Sequence, residues 1–260
     1  MNQKVILICI DGVRADGLMK CENPFIYEMM KRGSYTLEGR SVVPPVTLPC
    51  HMSIFHSVPP ERHGTTTNTY VPMVRPIDGL FEQIKKAGGR SSMYYGWEKM
   101  RDVASPGCLR HAEFIWVKSS EYSDRMLADS ALTYIKKESP DFVFLYMPQT
   151  DEEGHDNGWM SEPYLQCIKK AIDNVKRVLE EVDNEYTVIV TTDHGGHDRT
   201  HGLEIPEDMT IPMFFIGPDF EAGKEISGIS LLDLTPTIAE LMGIPKVPEW
   251  EGQSIVKTKF

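Results

Sequence analysis

Five short, mainly apolar runs rich in β-branched or aromatic residues punctuate the chain: Val5 to Ile10, Ser91 to Tyr95, Phe142 to Met147, Thr187 to Thr191 and Met213 to Ile216. Their apolar positions do not alternate with polar ones, the pattern of strands covered on both faces. Helical spacing fills the intervals. Asn23 before Pro24 predicts an N-cap with proline at the first helical position, and Gly33 closes the segment Phe25 to Arg32. Leu80 to Lys86, Ser123 to Lys137, Glu162 to Val182 and Leu234 to Leu241 carry comparable spacing or stop signals. Strands alternating with helices predict an α/β fold, a three-layer α/β/α sandwich around a mostly parallel sheet. Residues Val58 to Pro76 and Trp97 to Lys118 read as irregular loops that shape a pocket, and the acidic run Glu180 to Glu185 reads as a solvated helix end. No repeat or linker divides the chain, so residues 1–260 are expected to form one domain.

Composition narrows the class. Apolar residues at 41% and charged residues at 25% exclude collagen-like, disordered and membrane-spanning chains. A net charge of -11 would repel a polyanion or an anionic membrane surface, so neither nucleic-acid coating nor membrane attachment is expected. The five cysteines are scattered without a C-x-x-C pair, which points to reduced thiols. Val5 to Ile10 is too short for the core of a signal peptide, and the expected location is cytoplasmic.

Polar residues cluster where the apolar runs end. Asp11-Gly12 follows the first run, Asp151 and His155 follow Phe142 to Met147, Asp193-His194 follows Thr187 to Thr191, and His201-Gly202 comes shortly after. Ligands of open α/β sheets bind at those carboxyl ends of strands. An Asp-Gly pair by itself is an ordinary turn, but three aspartates converging on one sheet edge would repel one another unless neutralised. A mixed Asp/His set without cysteine suits divalent zinc, manganese or iron. Six such groups exceed one tetrahedral zinc, whereas two metals ~3.5–4 Å apart are a recurrent device in phosphoryl transfer. Two divalent ions would balance three aspartates and one bound alkoxide. His197 is the alternative to His201 for the last imidazole. The nucleophile is sought in the proline-punctuated stretch Val43 to Ser53, where Thr47 stands at the turn into a helix from about Leu48. A helix N-terminus offers backbone N–H groups to an anion.

The ordered set resembles the alkaline phosphatase superfamily, and most closely its nucleotide pyrophosphatase/phosphodiesterase branch, over most of the chain. The resemblance implies an alkaline phosphatase-like fold with one metal held by Asp11, Asp193 and His194, and the other by Asp151, His155 and His201. Its His-Gly context favours His201 over His197. In the family pattern a threonine before Phe-Pro-Asn-His is the nucleophile and bridges the metals; this chain reads Thr47-Leu48-Pro49-Cys50-His51, departing at Leu48 and Cys50. An asparagine after a Pro-Glu-x-His-Gly turn holds a phosphate oxygen in the family, and Asn68 follows Pro60-Glu61-Arg62-His63-Gly64 here.

The implied activity is two-metal hydrolysis of a small-molecule phosphoester, a phosphodiester or nucleotide pyrophosphate, through a phospho-threonine, with zinc as the implied metal. Asn68 and the Thr47 N–H would hold a non-bridging oxygen. A neutral amide there favours diesters over dianionic monoesters, and Arg14 and Arg62 are the cations that could upset that preference. The alternatives on the same scaffold are a phosphomonoesterase, a phosphonate hydrolase or a sulfatase, although the Cys/Ser-x-Pro-x-Arg setting of sulfatases is missing. Outside enzymes, a non-catalytic metal-dependent binding protein is the remaining reading.

Overall fold

The computed structural model of the chain describes residues 1–182 and 184–256; Asp183, inside the acidic run, lies outside them. Its strands are β1 Lys4–Ile10, β2 Ser34–Arg40, β3 Ser91–Tyr95, β4 Leu109–Phe114, β5 Phe142–Met147, β6 Tyr186–Thr191, β7 Thr210–Ile216 and β8 Lys224–Glu225. They form one sheet in the order β4-β3-β5-β1-β6-β7-β2-β8. β1 lies between β5 and β6 and is parallel to both. β7 runs antiparallel to β6 and to β2, so the sheet is mostly parallel with its reversal on one side.

The helices are α1 Ala15–Lys20, α2 Phe25–Arg32, α3 Thr47–His56, α4 Pro60–His63, α5 Leu80–Lys86, α6 Ser123–Glu138, α7 Gln149–Asn157, α8 Glu162–Val182, α9 Pro206–Met209 and α10 Leu234–Met242. Successive side chains of a strand point to opposite faces. Val5, Leu7 and Cys9 of β1 therefore pack into one apolar layer with α3, α5 and α10, while Ile6, Ile8 and Ile10 pack into another with α1, α2, α6 and α8. The result is a three-layer α/β/α sandwich. α8 buries Ile168, Ile172, Val175 and Leu179 along one stripe, each contributing roughly 1.5–3 kcal/mol of apolar burial. The N-cap position of α2 is Pro24 rather than Asn23, and the Asn23 side chain, one residue earlier, accepts the Phe25 N–H at 3.0 Å.

Several elements differ from the sequence reading, among them the helical turn α4, which lies inside the stretch read as a loop from Val58 to Pro76. β4 lies inside the stretch read as a loop from Trp97 to Lys118; it is an edge strand paired to β3, and its residues alternate between half-buried and exposed, which leaves no apolar run to detect. The start of that stretch coils into a 3₁₀ turn at Glu98–Val103. β2 reads Ser-Tyr-Thr-Leu-Glu-Gly-Arg and is likewise free of an apolar run.

The register of the central strands sets up the site. Ile10 pairs with Met147 and Cys9 with Thr191, and the Asp11 N–H donates to the Met147 carbonyl at 3.0 Å. β1, β5 and β6 thus end nearly flush, and the polar residues that follow them share one edge.

Candidate active site

Two sets of side chains meet at that edge. Asp11 from the end of β1 and Asp193-His194 from the end of β6 bring one ligand atom each within 4.8 Å of one another. His194 Nε2 lies 3.4 Å from Asp11 Oδ1 and 3.5 Å from Asp193 Oδ2, and all three side chains are buried. Asp151 and His155, one turn apart on α7, form the second set with His201. His155 Nε2 is 3.4 Å from Asp151 Oδ2, and His201 Nε2 is 3.7 Å from Asp151 Oδ1. The His194 and His201 rings stack with centroids 3.8 Å apart, so the two sets adjoin. Thr47, at the first position of α3, places Oγ1 3.2 Å from His194 Nε2. His197 belongs to neither set; its Nδ1 faces Asp208 Oδ1 at 2.7 Å.

The remaining contacts of these residues fit divalent cations. Each imidazole turns Nδ1 to a backbone carbonyl: His194 to Gly195 at 2.8 Å, His155 to Arg199 at 3.0 Å and His201 to Pro45 at 2.9 Å. An Nδ1–H that donates to a carbonyl leaves Nε2 with its lone pair toward the site, the usual arrangement of metal-ligating histidines. Each aspartate keeps one buried oxygen without a hydrogen-bond partner, namely Asp11 Oδ1, Asp151 Oδ1 and Asp193 Oδ2. Orphaned buried acceptors are costly and call for a charge or donor that completes them.

The electrostatics carry the same strain. Burial, reinforced by the Asp193 and Asp151 charges, pushes the Asp11 carboxyl well above its ordinary range, and burial likewise raises Asp193. Burial works to raise Asp151 as well, but the hydrogen bond from His155 and the nearby imidazoles hold it low. Burial, aided by the neighbouring His194, takes His201 down to about 4, and burial also lowers His194. Both imidazoles therefore stay neutral, the form that ligates metal. His155 runs the other way, raised to about 9 by its hydrogen bond to Asp151.

Glycine makes the close approach of the two sets feasible. Gly12 has φ +69°, and a Cβ on it would stand 3.0 Å from Asp151 Cα, Cβ and Oδ1. A Cβ on Gly196 would stand 2.2 Å from the Trp159 ring. That indole donates Nε1–H to the Gly12 carbonyl at 2.9 Å and meets His155 edge-on, so it braces both sets.

Around Thr47 the free donors are few. Val46 N–H donates to Pro44 O, and Leu48 N–H donates to Asn68 Oδ1 at 3.0 Å. With its oxygen so used, the Asn68 carboxamide keeps its NH₂ for another acceptor. The Thr47 N–H has no partner among the described residues. Arg14 is engaged by Asp16 and the Gly196 carbonyl, and Arg62 by Glu251 and the Glu249 carbonyl. The cation that does adjoin Asn68 is Lys99, whose Nζ donates to the Asn68 main-chain carbonyl at 2.7 Å.

Three further residues support the site, and two of them, Tyr146 and Lys99, escape sequence reasoning. Tyr146 Oη donates to Asp11 Oδ2; His51 Nδ1 pairs with the Thr47 carbonyl at 2.8 Å; Lys99 holds the Asn68 loop. Tyr146 is the fifth residue of an apolar strand and reads as core, and Lys99 sits 31 positions from Asn68 with no motif to link them. His56 and His63 spend their rings on helix and loop contacts, with Met52 O and Ser53 Oγ.

Comparison with known proteins follows the same lines. The family model for type I phosphodiesterase / nucleotide pyrophosphatase matches residues 5–207. Ectonucleotide pyrophosphatase/phosphodiesterase family member 1 of Rattus norvegicus is 25% identical over 217 residues, which is 73% of this chain and 24% of that protein. The 2,3-bisphosphoglycerate-independent phosphoglycerate mutase of Clostridioides difficile (strain 630) is 27% identical over 147 residues, 52% of this chain and 28% of that protein. The chain thus spans about a quarter of the length of these curated relatives. Among solved structures, an inactive threonine-to-alanine variant of murine ectonucleotide pyrophosphatase/phosphodiesterase 5, in complex with AMP, superposes with a TM-score of 0.80 at 15% identity, covering 95% of this chain and 96% of that one.

Proposed function

Because the chain belongs to the type I phosphodiesterase / nucleotide pyrophosphatase family, within the alkaline phosphatase superfamily, we propose that it hydrolyses phosphodiesters or nucleotide pyrophosphates with Thr47 as the nucleophile. The observation that carries this reading is the position of Thr47 Oγ1 against the Asp11, Asp193 and His194 set, with Asp151, His155 and His201 adjoining. A relative that bears the family name as a nucleotide pyrophosphatase and a structural neighbour that binds AMP both support a nucleotide-like substrate.

In this reading each set of three would hold one divalent cation, zinc by family resemblance, with Thr47 Oγ1 beside the Asp11, Asp193 and His194 set. When bound, such ions supply the positive charge and Lewis acidity that three aspartates facing an anionic ester would otherwise lack. The chain's own groups do the rest. The Asn68 NH₂ and the Thr47 N–H donate to a non-bridging oxygen, where negative charge accumulates in the transition state. Thr47 Oγ forms its bond to phosphorus as the alcohol departs in line, and the hydroxyl proton passes to solvent. Water then attacks phosphorus, the Oγ–P bond breaks, and the threonine hydroxyl is restored.

The test is Thr47→Ala beside Thr47→Ser, each assayed with 4-nitrophenyl diesters and with metal content measured. Alanine is expected to keep both the fold and the metal while turnover falls by several orders of magnitude, and serine is expected to retain measurable activity. An alanine variant within about tenfold of wild type, only ~1.4 kcal/mol in barrier, would remove Thr47 from the chemistry.

A further inference from the structure

Lys99 stands apart from the other cations of this acidic chain. It is half-buried, and no carboxylate lies within ion-pairing distance of it among the described residues. Two contacts fix its ammonium: the Asn68 carbonyl at 2.7 Å and the face of the Trp97 ring, 5.4 Å from Nζ to centroid. The 3₁₀ turn that carries it packs against α3, the helix that begins with Thr47. Its charge is therefore held, without a carboxylate partner among the described residues, at the main chain of Asn68, the residue whose carboxamide would face the phosphoryl group. Arg14 and Arg62, the cations that could upset the diester preference, are committed to Asp16 and Glu251.

We propose that Lys99 is a specificity-determining residue that reads the charge of the phosphoryl group, and that it admits dianionic phosphomonoesters as a second substrate class beside the diesters. This rests on the phosphoesterase reading above. Asn68 alone offers a hydrogen bond and no charge, which suits the neutral ester arm of a diester. A monoester puts a charged oxygen there instead, and a lysine ammonium nearby compensates it; a dianion gains about twice what a monoanion gains from the same cation.

The experiment compares 4-nitrophenyl phosphate with methyl 4-nitrophenyl phosphate, which share a leaving group and differ by one charge, at pH 8 on zinc-reconstituted full chain. Lys99→Met is expected to lower kcat/KM about tenfold for the monoester, as losing a charge-assisted contact does, and about threefold for the diester, with metal content unchanged. Lys99→Arg should restore most of the monoester rate. An equal loss for both esters would make Lys99 a mere brace for the Asn68 loop and overturn the proposal, as would no loss at all. If the wild type turned over neither ester, the phosphoesterase reading would fail by itself. Calorimetric binding of inorganic phosphate would then decide Lys99, whose replacement by methionine must weaken it.

Discussion

The two carboxylate oxygens of Asp11 have different neighbours: Oδ2 accepts the Tyr146 hydroxyl, while Oδ1 is buried without a partner and points at His194 Nε2. A phenol that donates to one oxygen fixes the rotation of the carboxylate and leaves the other as a single, aimed metal ligand. Burial and the Asp11 charge both keep the Tyr146 phenol protonated, so it remains a donor at any working pH. Tyr146→Phe should fold, since the ring stays in its apolar slot beside Phe144 and His51, yet bind zinc about 10- to 100-fold more weakly, the usual cost of losing an outer-shell partner. Competition against a chromophoric chelator would measure it, and unchanged zinc affinity would show that Asp11 needs no such orientation. The residue scale also explains what a sequence can disclose. Asp11 and Asp193 announce themselves because a charged group directly after a buried strand has few structural reasons to be there. Tyr146 and Lys99 act across distances the chain order does not encode, and their residue types are ordinary for core and loop.

At the scale of elements, the start of α6 meets the start of α7 through a buried acid. Asp124, in the first turn of α6, is almost fully buried; its N–H donates to Gln149 Oε1 at 3.2 Å, and its Oδ1 has no partner. Burial raises its pKa to about 8, against a smaller opposing pull from the Gln149 N–H. In the unfolded chain the same group titrates near ~3.9. Below about pH 4 both states keep the proton and burial costs little; between about 4 and 8 only the unfolded state releases it, so stability falls as pH rises, and above about 8 the loss is complete. Asp124→Asn should therefore raise Tm at pH 8 by roughly 3–6 °C, a gain of ~1–2 kcal/mol, and leave it unchanged near pH 4. A Tm difference that is the same at both pH values would mean that Asp124 is ionised in the folded protein. Elements also mark the limit of pattern reading. The strands that flank β1 are covered on both faces and spell continuous apolar runs, whereas β4 at one edge and β2, next to the edge strand β8 on the other side, mix polar and apolar residues because part of each faces solvent. The missed strands are those that support the site least directly, since β1, β5 and β6 carry its carboxylates.

Across the whole molecule, the acidic balance has one focal point. The chain's net charge of -11 includes three aspartates gathered where β1, β5 and β6 end, two of them pushed up by burial. Without cations the folded state must either keep those groups protonated or bear their repulsion, while the unfolded chain ionises them freely. The folded pKa values of Asp11 and Asp193 lie above the unfolded ones, so the stability these two contribute is present in acid and is lost as pH rises. Bound cations reverse the trend, because they favour ionised carboxylates and compete with protons for them. Stripping the metal should thus lower Tm, and the gap between chelated and zinc-loaded protein should widen from pH 5 to pH 8. With free zinc about 100-fold above its Kd, linkage stabilises the folded state by ~2.7 kcal/mol, equivalent to roughly 5–10 °C for a chain of this size. Scanning calorimetry at the two pH values on dialysed and reconstituted samples measures the gap, and a gap that narrows toward pH 8 would mean that the aspartates at this sheet edge are not what the cation stabilises.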